Sequence, residues 1–461
     1  MDDTAVIWFR RDLRLGDLPT LTAAAERASS ALALFVLDAA LLGPAGAPRT
    51  TFLFRCLREL DAALDGRLLV VHGDPVDVLP RVAASVGAAS VHVSADFGPY
   101  GSRRDTAVAD ALGSAVEGGV ELVRTGSPYA VAPGRIVKGD GDPFRVFTPF
   151  RRAWAEHGWR APADTSAATV SWIDPADKDG GPRRVKIPDD VALGEAELPA
   201  AGEKAALARW SGFLDADVTA YDEERNRPDH DATSRMSPYL KYGCVHPRTM
   251  LADLKGRNGS GATTFTTELA WRDFYADVLH RRPDTAREHY DQRFDKIHYD
   301  DGAAARQAFE AWATGRTGFP IVDAGMRQLL AQGWVHNRVR MIVASFLTKD
   351  LHLSWTWGAR HFMRHLVDGD LSSNQHGWQW TAGSGTDASP YFRVFNPTTQ
   401  GEKFDPQGDY VRRWVPELRG VAGKAVHTLP DGVPAGYVEP IVDHKHERQV
   451  ALDRYAALKD G

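Results

Sequence analysis

Cysteine is nearly absent: Cys56 and Cys244 are the only two in 461 residues. That excludes a disulfide framework and any cysteine-rich metal centre, and it suits a reducing cytoplasm. Long hydrophobic runs are missing as well. No segment reaches the roughly 18 uncharged apolar residues of a membrane span, and the opening MDDTAVIWFRR has no apolar run of signal-peptide length. The expectation is a soluble cytoplasmic protein, a monomer without membrane contact. A general surplus of positive charge is also lacking, since the net charge is −6. This argues against a protein that is basic all over, but one positive face would still suffice for nucleic acid. No internal repeat or low-complexity tail is visible, and the length allows two or three domains, each with its own core.

What is present first is alternation. The apolar runs AVIWF, ALALFVLD, RLLVVHGD, SVHVSAD and VELVRTG are separated by longer mixed segments. This is the rhythm of a doubly wound parallel five-stranded sheet covered by helices on both faces, an α/β domain over residues 1–130. Such sheets bind ligands at the carboxyl ends of their strands. After AVIWF, however, the stretch Phe9 to Asp17 has none of the glycines that let backbone approach a pyrophosphate, so a standard dinucleotide fingerprint is excluded. Residues 131–201 lose periodicity, apart from PFRRAWAEH, and read as a long connector. Residues 202–461 carry helical spacing and read as an all-α domain, ending in a helix over HKHERQVALDRYAALKD.

The loop Gly256 to Gly261 has a phosphate-loop look, but Ala262 stands where a lysine would be needed and no strand precedes it. A solvated loop is the better reading. His361 and His365 share a helical face without a third ligand, so no metal is expected. Glu268, Trp271, Arg272 and Tyr275 fall on one helical face, either as a surface with a local Glu268–Arg272 pair or, preferably, as a pocket wall. Thr233-Ser-Arg-Met-Ser237 offers hydroxyls and a cation before a helix, an anion-binding pattern beyond what one cap requires.

The stretch Trp334 to Trp380 holds five of the thirteen tryptophans. Val335, Val339, Ile342 and Phe346 follow a core-facing period, which leaves Asn337 and Met341 on another side. A hydrogen-bonding amide and a thioether suit a flat heteroaromatic ligand, although methionine is more often gap filler. Arg340 and Asp368 are candidates for a buried pair, and Asp368 and Asp370 bracket a glycine in what is otherwise a C-cap turn.

Together VIWFRRDLRLGD, TSRMSPYLKYG, ELAWRDFY, GFPIVDAGMRQL, WVHNRVRMIVASFL, DGDLSSNQHGWQW and TDASPYFRVFNPTTQGEKFDP resemble the photolyase/cryptochrome family, specifically class I photolyases that repair cyclobutane pyrimidine dimers. The resemblance runs nearly end to end. It implies an N-terminal α/β domain holding a light-harvesting antenna and a helical domain holding FAD bent into a U. It places Tyr221, Thr233, Ser234, Arg235, Met236 and Ser237 along the FAD, mainly at its phosphates. Asp368 and Asp370 would contact flavin or adenine-side groups, Arg340 would pair with Asp368, and Asn374 would face flavin N5. Glu268, Trp271, Asn337, Met341 and Trp380 would wall the cavity for a lesion flipped out of UV-damaged DNA. Arg225, Arg272, Arg338 and Arg393 would lie near flanking phosphates.

The same resemblance separates neighbours within the family. Enzymes for the (6-4) photoproduct carry two histidines where Asn337 and Met341 stand. Cryptochrome photoreceptors, the alternative reading, usually carry Asp or Cys where Asn374 stands. Trp378 and Trp355 match the inner and middle members of the family's electron-transfer chain. The outer tryptophan has no counterpart, and Tyr299 is the nearest aromatic. For the antenna, Ser94 to Gly101 including Asp96, with Arg49 and Lys241, is similar to deazaflavin-binding members. It implies 8-hydroxy-5-deazaflavin, with methenyltetrahydrofolate or an empty site as alternatives.

Overall fold

The computed structural model describes residues 3–115, 118–175, 182–388, 390 and 393–458. Strands β1 (Thr4–Phe9), β2 (Ser30–Leu37), β3 (Leu68–His72), β4 (Ala88–Val93) and β5 (Glu121–Arg124) form one parallel sheet in the order β3-β2-β1-β4-β5. The apolar runs are continuous rather than alternating because both faces are covered. From β1, Ile7 and Phe9 pack with Leu21, Phe52 and Leu57 on one side. Val6 and Trp8 pack with Val78, Leu79 and Val108 on the other.

The first of these cores does not stop at the sheet. It continues through Trp154, Trp210, Phe213, Phe265 and Phe274 into the helical part of the chain. A second core, including Leu329, Val339, Phe346, Trp355 and Trp378, holds the later helices together. From Gly202 onward every described element is helical, closing with the helix His444–Ala457.

The stretch after β1, which lacks a dinucleotide fingerprint, joins these two parts. Leu13 N donates to Tyr242 O at 3.1 Å, and Arg14 Nη1 to Gly243 O at 3.0 Å. The Glu203 carboxylate accepts from Leu15 N and Gly16 N, both at 2.8 Å. Asp17 pairs with Arg248 at 2.7 Å. Gly243, at φ 67°, allows this approach, for a Cβ there would lie 2.0 Å from Arg11 O. The connector region is also fastened down. Val131 N and Trp154 Nε1 donate to Asp273 Oδ2 at 2.9 and 3.0 Å, and Gly134 N to Asp277 at 2.6 Å. Among the described residues no helix is long and apolar enough to cross a membrane.

Candidate functional site

The helices Ser260–Arg281, Asn337–Ser345 and Leu371–Ala382 converge with the loop before Ser237 around a cavity of about 500 Å³, and a second cavity of about 200 Å³ adjoins it. The two share Tyr221, Arg225, Ser234, Met236, Ser237, Glu268, Asn337, Arg340 and Asp368 as walls. Thr233 and Arg235 line the smaller one. Trp271, Arg272, Arg338, Met341, Asp370, Asn374, Trp378, Trp380 and Lys241 line the larger.

The loop at the smaller cavity is held from behind. Arg209 donates to Thr233 O at 2.6 Å and to Ser234 O at 2.9 Å. Arg235 has a positive φ of 51°, and its guanidinium lies 4.5 Å from the Trp334 ring centroid. Burial lowers its pKa against the opposing pull of Asp231. The hydroxyls of this loop do not cap the short helix Ser237–Tyr242, whose N-cap is Met236.

Glu268 pairs with Arg225 at 2.7 Å rather than with Arg272 one turn away. Arg272 reaches the other way, donating to Pro128 O at 2.7 Å and Leu240 O at 3.2 Å, with Tyr129 beneath it at 4.6 Å. The local helical pair is therefore replaced by two tertiary contacts. Burial raises the pKa of Glu268 and Arg225 only partly opposes it.

The periodicity of residues 335–346 is seen in the burial. Val335, Val339, Ile342 and Phe346 are all buried, while Asn337 and Met341 face the larger cavity. Arg338 donates to Asn226 Oδ1 at 2.6 Å and rests over Phe404. Arg340 pairs with Asp368 Oδ2 at 2.7 Å. The other oxygen, Asp368 Oδ1, is buried and has no protein partner. A buried carboxylate oxygen left in this state in a cavity wall is an acceptor for a ligand donor. Asp370, by contrast, is engaged on both oxygens. It caps the helix Leu371–Ala382, accepting from Ser372 Oγ at 2.6 Å and Ser373 N at 3.3 Å, and it pairs with Arg11 at 2.5 Å. Burial alone would raise its pKa, but Arg11, Lys241 and Arg272 hold it far below the usual carboxylate range. The Asp368–Asp370 turn is thus an N-cap and an ion pair rather than a helix C-cap. The amide nitrogen of Asn374 donates to Ala359 O at 3.2 Å and Gln375 Oε1 at 2.8 Å, which fixes its orientation.

Trp271 carries Phe147 flat against one face, with ring centroids 3.5 Å apart and planes 9° from parallel. Trp378 is buried against Phe362 at 5.0 Å and Trp312 at 6.0 Å. Its ring lies over Gly358, where a Cβ would be 2.1 Å away, on the same helix as Trp355. Arg393 is exposed and lines neither cavity. Arg49 lies beside Gly369, and Lys241 Nζ is 4.0 Å from Asp370. Burial, reinforced by Arg11, pushes the Lys241 pKa down to about 7. Asp96 lies three residues beyond β4, bound to Arg104 at 3.2 Å; burial disfavours its charge, but Arg11, Arg10 and Arg104 hold its pKa below the usual value. Of the three antenna candidates only Lys241 lines the larger cavity; Arg49 lies behind its wall at Gly369, and Asp96 follows β4. His361 and His365 lie with ring centroids 4.4 Å apart and planes tilted by 42°, and among the described residues no group of three or more His, Cys, Asp or Glu side chains could hold a metal.

Arg11, Phe147 and Arg209 are the contributors that sequence reasoning passes over. Each acts across a long sequence separation, so no local spacing announces its partner.

Fold and cavity define a two-part protein whose helical part encloses two adjoining cavities, with hydroxyls and Arg235 at the smaller and aromatic side chains around the larger. Two family models match, DNA photolyase over residues 5–168 and the FAD binding domain of DNA photolyase over residues 265–457. A deoxyribodipyrimidine photo-lyase of Streptomyces griseus is 41% identical over 451 residues, covering 95% of this chain and 96% of its own. A class III photolyase from Agrobacterium tumefaciens matches with a TM-score of 0.91 and 35% identity over 100% of this chain and 98% of its own. A photolyase from Sulfolobus tokodaii with two FAD molecules matches with a TM-score of 0.84 and 28% identity over 98% of this chain and 100% of its own. The chain belongs to the DNA photolyase family. A class III member at this similarity means that the fold match does not single out class I.

Proposed function

We propose that the chain repairs cyclobutane pyrimidine dimers in DNA, duplex or single-stranded, in a light-driven reaction that uses FAD. The observation that carries the reading is the pair of joined cavities, with hydroxyls and Arg235 at one end, aromatic walls at the other and the unpartnered Asp368 Oδ1 between them. These groups fit FAD. Tyr221, Thr233, Ser234, Arg235, Met236 and Ser237 would hold its phosphate region. Asp368, with Arg340 behind it, would accept from a ligand N–H or O–H, Asp370 would line the same wall, and Asn374 would present its carbonyl oxygen to the flavin. When bound, reduced FAD supplies a photoexcited one-electron donor with no net redox change over the cycle.

The residues of the chain do the rest. A dimer pairs and stacks poorly, so extruding it costs less than the few kcal/mol needed for an intact base. Trp271 and Trp380 supply stacking surfaces, each contributing ~1–3 kcal/mol per base. Burial favours the neutral form of Glu268, which can then donate to a dimer carbonyl where negative charge develops. Asn337 donates beside it and Met341 fills the apolar remainder. Neither is an acid or base, which disfavours the (6-4) photoproduct. Arg225, Arg338 and Arg393 would meet flanking phosphates, while Arg272, with donors already on backbone carbonyls, contributes charge at longer range. Trp378, Trp355 and Tyr299 would carry electrons inward when the flavin needs reducing. For the antenna we favour 8-hydroxy-5-deazaflavin near Arg49, Asp96 and Lys241, and an absorption spectrum of the purified protein distinguishes it from folate, a second flavin or an empty site.

The test is direct. Dimer-containing DNA incubated with the reduced protein should be repaired under blue or near-ultraviolet light and not in the dark. Absence of repair in the light would overturn the reading.

A further inference from the structure

The outer end of the electron relay lacks a tryptophan, and the residues around Tyr299 show a different device. His289 lies between Trp355 and Tyr299. Its ring centroid is 6.0 Å from that of Trp355, at 68°, and 6.2 Å from that of Tyr299, with the two planes only 6° apart. Tyr299 Oη and His289 Nε2 are 3.4 Å apart, within hydrogen-bond distance between the parallel rings. His289 is buried and its Nδ1 has no protein partner. The segment is held in place, since Tyr290 N donates to Gln379 Oε1 at 2.8 Å and Asp291 N to Ser384 O at 2.9 Å.

We propose that Tyr299 and His289 act together as a proton-coupled electron donor to Trp355. The inference rests on the relay reading above and deepens it. The oxidant is the indole cation radical left on Trp355 once an electron has moved inward through Trp378. One electron passes from Tyr299 to that radical, restoring neutral Trp355. The phenolic proton passes from Tyr299 Oη to His289 Nε2. The products are a neutral tyrosyl radical and an imidazolium, so one positive charge has moved from Trp355 to His289 and no other atom has changed hands.

The coupling follows from acidity. Taking an electron from a phenol that keeps its proton would leave a phenol radical cation, a far stronger acid than imidazolium, so the proton leaves for the ring nitrogen that faces the hydroxyl. Tyr299 cannot lose that proton beforehand, because burial and Asp295 raise its pKa. His289 can receive it, because burial keeps the ring neutral in the resting state, while Asp291 and Asp295 favour the imidazolium once formed. Proton movement also slows return of the electron, which lets the flavin stay reduced.

The test uses the full chain with its flavin oxidised, excited by a laser flash. The unsubstituted protein should show the tryptophan radical band decaying into the sharp near-ultraviolet band of a neutral tyrosyl radical, more slowly in deuterated water. Tyr299→Phe should abolish the tyrosyl band. His289→Phe, which keeps both Tyr299 and an aromatic ring at the centre, should abolish it too and leave the tryptophan radical to recombine. His289→Gln provides a second variant, and the ratio of flavin to protein absorbance shows that each is folded. A tyrosyl band of undiminished yield in both histidine variants, or its absence from the unsubstituted protein, overturns the proposal. Failure of the repair reading is seen separately, as no light-dependent repair by chemically pre-reduced unsubstituted protein.

Discussion

Glu268 shows how a residue recognisable in the sequence acquires its properties from partners that are not. Its place on a face with Trp271 and Tyr275 follows from helical spacing, but the spacing points to Arg272 as its local ion partner, and the fold provides Arg225 instead. Arg225 holds the carboxyl toward ionisation while burial holds it toward the neutral acid, with burial the stronger of the two. If the neutral acid donates to the lesion, repair falls as pH rises through the pKa of Glu268. Removing Arg225 leaves burial unopposed, so this pKa moves further up and the fall moves to higher pH. The expected outcome for Arg225→Gln is an upward shift of the descending limb in a pH profile of repair, apart from any loss of amplitude through weaker DNA binding. A limb that stays in place or moves down would show that Arg225 does not set the protonation of Glu268. Asn337 and Met341 were legible for the opposite reason, since their neighbours Val339 and Ile342 are local and periodic.

At the scale of elements, the helix Phe147–His157 is more than connector. It packs on Ser260–Arg281, and Phe147 N donates to Asp387 Oδ2 at 3.0 Å while Thr386 Oγ1 donates to Arg145 O at 2.6 Å. These bonds fix the segment that stacks Phe147 on Trp271, itself a wall of the larger cavity. A stacked aromatic pair contributes about 0.5–1.5 kcal/mol beyond its buried area. Phe147→Leu should therefore weaken binding of dimer-containing DNA by up to about tenfold, measured by fluorescence anisotropy, with flavin content and affinity for undamaged DNA unchanged. Equal weakening toward damaged and undamaged DNA would mean that Phe147 serves general folding rather than the orientation of Trp271. The strands and the long helices were readable because period and element coincide. Docking of this short helix was not, because loss of periodicity in its flanks says nothing about where loop backbone finds partners such as Asp273 and Asp277.

At the scale of the whole molecule, the chain divides by secondary structure but not by packing, because one core runs from β1 through Trp210 to Phe274. Charge is unevenly distributed over this single body. The net charge is −6, yet Arg225 and Arg338 both line the larger cavity, and burial, Arg225 and the exposed Arg393 together lower the pKa of Arg338. Bulk charge, the one electrostatic quantity a composition provides, hides this concentration entirely. Binding to DNA should then depend on few phosphates, and each neutralised phosphate contributes a slope of about −0.9 to log affinity against log salt for duplex DNA. Three arginines predict a slope near −3 (~3 × −0.9) on that scale. Arg338→Ala should reduce its magnitude by about one, and weaken damaged and undamaged DNA alike. A titration over several salt concentrations measures both. A salt-independent affinity would mean that acidic surface elsewhere cancels the arginine cluster, and that stacking and hydrogen bonding inside the cavity hold the DNA unaided.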